Sequence, residues 1–126
     1  MAPLPAVHII DDDDAVRDSL AILLETRGFA VATYPTAQAF LHHAEGGIDG
    51  CVITDVQMPE MNGLQLLRAF KAQNLDVPVL VVTARSGRAL AEEAMAQGAR
   101  ALIEKPFEPD AFVEVVRDAL AKRPPT

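Results

Sequence analysis

The sequence predicts a doubly wound α/β fold, a five-stranded parallel sheet with helices on both faces. Three observations carry that expectation. Short β-rich apolar runs alternate five times with segments of helical periodicity, the pattern of successive right-handed βαβ units. The most apolar run, "VPVLVVT" (77–83), is continuous rather than alternating, as a strand covered on both faces must be. A chain of 126 residues, 50% of them hydrophobic, also supplies one domain's worth of core.

Each element follows from its own residues. "AVHII" (6–10) is the first strand. A helix runs from about Asp14 to Arg27, with Val16, Leu20, Leu23 and Leu24 at helical spacing and Gly28 as its stop. Asp14 is expected to cap that helix, while Asp13 sits solvated in the turn before it. "AVATY" (30–34) is the second strand, and "PTAQAFLHHA" (35–44) a short helix opening on Pro35-Thr36. "GCVITD" (50–55) is a buried third strand, followed by a helix over 63–73 with Leu64, Leu67 and Phe70 in register. The apolar fourth strand leads to an alanine-rich helix that ends near Gly98. "ALIE" (101–104) is the fifth strand, and the last helix (110–122) carries the stripe Phe112, Val115, Val116, Ala119 and Leu120.

The domain spans 6–122, with an N-terminal tail at 1–5 and a C-terminal tail or start of a linker at 123–126. "MAPLPA" lacks a basic start and an apolar segment, and no stretch of about 18 apolar residues offers a membrane span. Cys51, the single cysteine, excludes an internal disulfide and fits a cytoplasmic setting; it reads as a small core residue. A net charge of −7 argues against direct nucleic-acid binding. Without Asp11 to Asp14 and Asp55, however, 13 acidic residues face 11 basic ones, so the acidity is local and belongs to a site.

In a doubly wound sheet the site lies beyond the carboxyl ends of the strands. There the first strand delivers Asp11 and Asp12, the third Asp55, the fourth Thr83 and the fifth Glu104-Lys105-Pro106. Converging carboxylates raise one another's pKa unless a cation neutralises them. Oxygen ligands without His or Cys select a hard ion, and carboxylates, waters and a phosphate oxygen describe Mg²⁺. With a lysine and a hydroxyl added, the set becomes a receptacle for a phosphoryl group, and an ionised aspartate needs no base to attack phosphorus.

"IIDDDDAVRDSL", "VITDVQMPEMNGLQLL", "VLVVTA" and "IEKPF" together resemble the receiver domain of bacterial two-component response regulators, over about residues 6 to 121. "AQAFL", "FKAQ" and "EKPFE" are further similar to the FixJ-type subgroup. The resemblance implies a flavodoxin-like, CheY-like sheet of strand order 2-1-3-4-5. It implies that Asp55 is the phosphoacceptor, Thr83 the hydroxyl that moves to the phosphoryl oxygen, and Lys105 the lysine that pairs with it. It assigns Mg²⁺ to Asp12 directly, to Asp11 largely through water, to Asp55 and to the Gln57 backbone carbonyl. The Lys105-Pro106 peptide is expected to be cis. The implied partners are a sensor histidine kinase, a second copy on phosphorylation, and DNA only through a separate output domain, with no membrane. On this reading the domain is not an enzyme but a switch of the surface formed by helix four, strand five and helix five, controlling transcription through an output domain outside this chain.

The sequence departs from the family pattern at Leu102, three before Lys105, where a tyrosine or phenylalanine is usual. Gln57 and Arg85, each two past a site residue, are long polar side chains able to shield the phosphoryl group. Two other readings remain. A Mg²⁺-dependent phosphohydrolase would use the same aspartate, lysine and threonine, but needs a second aspartate where Gln57 stands. A degenerate receiver acting only as an interaction module is opposed by the intact Asp12, Asp55, Thr83 and Lys105. His8 interrupts a strand, and His42 and His43 lie on a short helix with no acidic or cysteine partner at ligand spacing; all three read as surface or internally satisfied histidines. Met58 and Met61 read as packing residues.

Overall fold

Val7 to Ile10 form β1, every residue of it buried, and this strand lies near the centre of the sheet. The computed structural model describes residues 6–45, 47–58 and 61–121. The expected tails at 1–5 and 123–126 lie outside the described residues. The other strands are β2 (Val31–Tyr34), β3 (Cys51–Asp55), β4 (Val79–Thr83) and β5 (Ala101–Glu104). All pair in parallel in the order β2-β1-β3-β4-β5. The helices are α1 (Asp14–Thr26), α2 (Ala37–Ala44), α3 (Gly63–Ala72), α4 (Arg88–Ala96) and α5 (Pro109–Ala121).

Strand side chains alternate between faces, and this divides the core in two. Ile10, Val52 and Val81 pack with Phe40 of α2, Leu67 and Phe70 of α3, and Ala91 and Ala94 of α4. Their strand neighbours Ile9, Ile53, Leu80 and Val82 pack on the opposite face with Leu20 and Leu24 of α1 and Phe112, Val113 and Val116 of α5. Full burial of a side chain such as Leu24 or Phe112 stabilises the fold by about 1.5–3 kcal/mol. The strand order reverses at β1 and β3, which opens a crevice at their carboxyl ends.

The helix boundaries sharpen the sequence reading at two places. The cap of α1 is Asp13, not Asp14: its backbone is extended, and its carboxylate accepts the N–H groups of Ala15 and Val16 at 2.9 and 3.2 Å. The Asp13 N–H in turn donates to Asp11 Oδ1 at 2.9 Å, which fixes the turn so that residue 13 is the last extended one. Asp14 is the first helical residue and pairs with Arg17. Gly28, at φ +93°, follows the end of α1 in the left-handed conformation expected of a helix stop. The segment before α4 winds into a turn of 3-10 helix, Arg85–Gly87, that leads directly into the helix.

Three sequence expectations about packed residues hold. Cys51 is fully buried, and burial pushes its thiol up to about 12. His8 is buried and satisfied: Nε2 donates to the Asp49 carbonyl at 3.0 Å, which leaves Nδ1 to accept from the Tyr34 hydroxyl at 3.0 Å. Met58 and Met61 pack, half-buried, against the core layer formed with α2, α3 and α4.

Candidate functional site

The carboxyl edge of the sheet gathers the residues that the strand ends supply. Asp11, directly after β1, is only 4% exposed, and its Oδ1 accepts the Asp13 N–H. Burial pushes its carboxyl above the ordinary carboxylate value; the Asp13 N–H opposes the shift, while the charge of Asp55 adds to it. Arg17 crosses from α1, and its Nη1 donates to the Asp11 backbone carbonyl at 2.6 Å. Asp12 points out of the turn and is exposed; its charge also bears on Asp11.

Asp55 ends β3 with both carboxylate oxygens engaged. Oδ1 accepts the Gln57 N–H at 2.9 Å, and Oδ2 accepts from Lys105 Nζ at 3.2 Å. The Thr54 hydroxyl donates to the Asp55 carbonyl at 3.0 Å and steadies the strand end. Lys105 follows β5, and the Lys105-Pro106 peptide is cis, as the sequence led us to expect. The structure thus brings Asp11, Asp55 and Lys105 into mutual electrostatic contact from three separate strands.

Thr83 ends β4, one residue past the Val82 that pairs with Asp55, and is fully buried. Its hydroxyl donates to the carbonyl of Ala84 at 2.7 Å. Leu102, opposite Val81 in β5, is half-buried and packs on the core layer that includes Ala91 and Ala94 of α4. Gln57, Arg85 and Ser86 are exposed, and Ser86 Oγ donates to Gln57 Oε1 at 3.4 Å across the mouth of the site. That contact joins two loops distant in sequence, and no local pattern announced it. Alongside the site, between α1 and the segment after β5, runs an apolar groove of about 460 Å³ lined by Ala15, Val16, Ser19, Leu23 and Phe107.

Among the described residues, no group of three His, Cys, Asp or Glu side chains converges closely enough to enclose a metal by itself. The donors at this edge are all oxygens, and the ionised form of Asp11 is penalised by burial and by Asp55. That chemistry fits a hard divalent ion that keeps several waters rather than a fully protein-built cage.

The receiver domain of response regulators, as a sequence family, matches residues 7–117, most of the chain. The chain belongs to that family. Two transcriptional regulatory proteins named FixJ are similar to it: 43% identical in Bradyrhizobium diazoefficiens, over 94% of this chain and 58% of the relative, and 46% in Azorhizobium caulinodans, over 92% and 55%. The chain therefore spans little more than half the length of the curated relatives it matches. The crystal structure of FixJ-N superposes with a TM-score of 0.90 at 38% identity, covering 100% of both chains. The receiver fold, with its strand order, is the one described above. No helix among the described residues is long and apolar enough to cross a membrane.

Proposed function

We propose that the domain accepts a phosphoryl group on Asp55 from the phosphohistidine of a sensor kinase, in a Mg²⁺-dependent step, and relays the change to the surface of α4, β5 and α5. The observation that carries this reading is the pairing of the strand-end carboxylate Asp55 with Lys105 at 3.2 Å, beside the buried Asp11. One oxygen of Asp55 attacks phosphorus; the P–N bond to the kinase imidazole breaks, and an acyl phosphate forms. Lys105, already at this carboxylate, pairs with the transferred phosphoryl oxygens. The Gln57 N–H holds Oδ1 and so orients the nucleophile. Asp11, Asp12, Asp55 and the Gln57 carbonyl would hold Mg²⁺, whose charge would offset carboxylate repulsion and the charge on the phosphoryl oxygens.

Thr83 supplies the response: its hydroxyl exchanges the Ala84 carbonyl for a phosphoryl oxygen, and Leu102 packs into the altered space. Phosphorylation then favours a dimer through α4 and β5, and transcription is controlled through an output domain outside this chain. The length of the FixJ relatives beyond the matched region supports that assignment. The kinase's helices dock on α1, where the apolar groove adjoins Lys105 and the exposed Ile22 adds apolar surface. Gln57 is not a carboxylate, so the acid/base that a phosphohydrolase needs is missing at that position.

Incubation with Mg²⁺ and a small phosphodonor tests the proposal. The native chain should take one acid-labile, hydroxylamine-sensitive phosphoryl, Asp55→Asn none, and chelation of Mg²⁺ should stop the reaction. Steady catalytic turnover of the donor, or a phosphorylated Asn variant, would refute it.

A further inference from the structure

The 3-10 turn after β4 lies across Thr83. Gly87, in that turn, is buried. A Cβ placed on it would stand 2.4 Å from Thr83 Oγ1 and 2.9 Å from both Cδ and Oε1 of Gln57, closer than side chains approach one another. The bare backbone at 87 is therefore what lets the turn seat on the hydroxyl and on the Gln57 amide together. Two contacts hold the turn from its flanks. On the β3 side, Ser86 Oγ donates to Gln57 Oε1 at 3.4 Å. On the β5 side, Arg88 Nη1 donates to Glu104 Oε2 at 2.9 Å, one residue before Lys105. Arg88 is further oriented by its Nε donating to Glu92 Oε1 at 3.0 Å, one turn along α4.

We propose that Ser86–Arg88 is a strap that keeps the Thr83 hydroxyl on the Ala84 carbonyl in the unphosphorylated protein. Ser86–Gln57 and Arg88–Glu104 are its two latches, and Gly87 is the residue that permits closure. The inference rests on the reading of Asp55 as phosphoacceptor. For Thr83 to bond a phosphoryl oxygen, its hydrogen bond to Ala84 must break and the turn seated on Oγ1 must shift. Whatever stabilises the closed strap but not the shifted one lowers the affinity of the site for a phosphoryl group by that difference. Arg88 and Glu104 are thus positioning residues, acting through Thr83 and not on the phosphoryl group.

The test is calorimetric titration of the Mg²⁺-loaded chain with beryllofluoride, a phosphoryl mimic, with melting of each variant recorded beforehand. Arg88→Ala removes a positive charge near an anion site, so plain electrostatics weakens binding, whereas opening a latch tightens it. The strap predicts tightening by about two- to five-fold, the range that one solvent-exposed ion pair supports. Glu104→Gln should tighten binding similarly, yet add nothing when Arg88 is already alanine. Gly87→Ala, which cannot close, should also bind more tightly while melting no higher than the native chain. Weaker or unchanged binding by Arg88→Ala, or fully additive effects of the Arg88 and Glu104 changes, would overturn the strap even if Gly87→Ala fails to fold. If the native chain binds no beryllofluoride while its fold is intact, the phosphoacceptor reading itself falls, and the strap with it.

Discussion

Replacing Asp13 and Asp14 separately by alanine distinguishes a cap from a neighbour of identical chemistry. Asp13 accepts two N–H groups of the first turn of α1, at 2.9 and 3.2 Å. Losing such a cap costs about 1 kcal/mol, and losing the negative charge at the helix N-terminus adds a few tenths more, about 1–1.5 kcal/mol in all. Among the described residues Asp14 makes an exposed ion pair with Arg17, its side chain 84% exposed. That pair contributes about 0.3 kcal/mol, and the higher helix propensity of alanine at position 14 offsets roughly as much. In a domain of this length 1–1.5 kcal/mol corresponds to a fall of about 3–8 °C in melting temperature. Thermal unfolding followed by far-UV circular dichroism, without metal, should therefore show Asp13→Ala several degrees below the native chain and Asp14→Ala within about a degree of it. Asp13→Asn, which keeps a capping oxygen, should recover most of the loss. An Asp14→Ala variant that melts as low as Asp13→Ala would refute the assignment of the cap.

Four further outcomes follow from the geometry. Asp11→Asn should raise the melting temperature of the metal-free chain, because it removes a buried charge crowded by Asp55, and should shrink the stabilisation by added Mg²⁺; a variant less stable than the native chain counts against it. Burial and the nearby His43 hold His8 below the ordinary histidine value, so the unfolded chain protonates first: the stability from neutral His8 is present above pH about 6.5 and is lost as pH falls toward its folded-state value. NMR titration of the His8 ring checks this, and a midpoint at or above 6.5 would contradict it. Ile22 is 61% exposed, so Ile22→Asp should leave stability within about 0.5 kcal/mol while slowing transfer from the cognate kinase and sparing a small phosphodonor; equal slowing with both donors would rule out docking. Leu102→Tyr should widen the difference in dimerisation with and without beryllofluoride, since a larger ring gains more burial on turning inward, on the order of 1 kcal/mol; a native chain with the larger difference would show leucine to be an adequate switch.

The strands, the helices and the strand-end residues were legible because they obey short-range rules: apolar runs of strand length, helical spacing, and the placement of sites at the carboxyl edge of a parallel sheet. The cap of α1 was misplaced by one residue because a run of four aspartates carries no local signal for which member keeps extended backbone. That choice is made by the Asp13 N–H reaching back to Asp11. The partners of His8, Tyr34 and Asp49, lie 26 and 41 residues away and follow only from the register of β1 with its neighbours. The Arg88–Glu104 pair and the seating of Gly87 on Thr83 likewise depend on how α4 leaves the sheet, which periodicity within the helix does not encode.

The Asp55–Lys105 pair joins residues 50 apart, with the whole of β4 and α4 between them. During synthesis the acidic residues at 11, 12 and 55 are therefore all made well before their cation. Without β5 at the sheet edge, Asp55 would have no Lys105 beside it. A chain whose β5 is undocked therefore carries the Asp55 carboxylate without its counter-charge, so the pairing of this strand end depends on the edge strand that lies beyond β4.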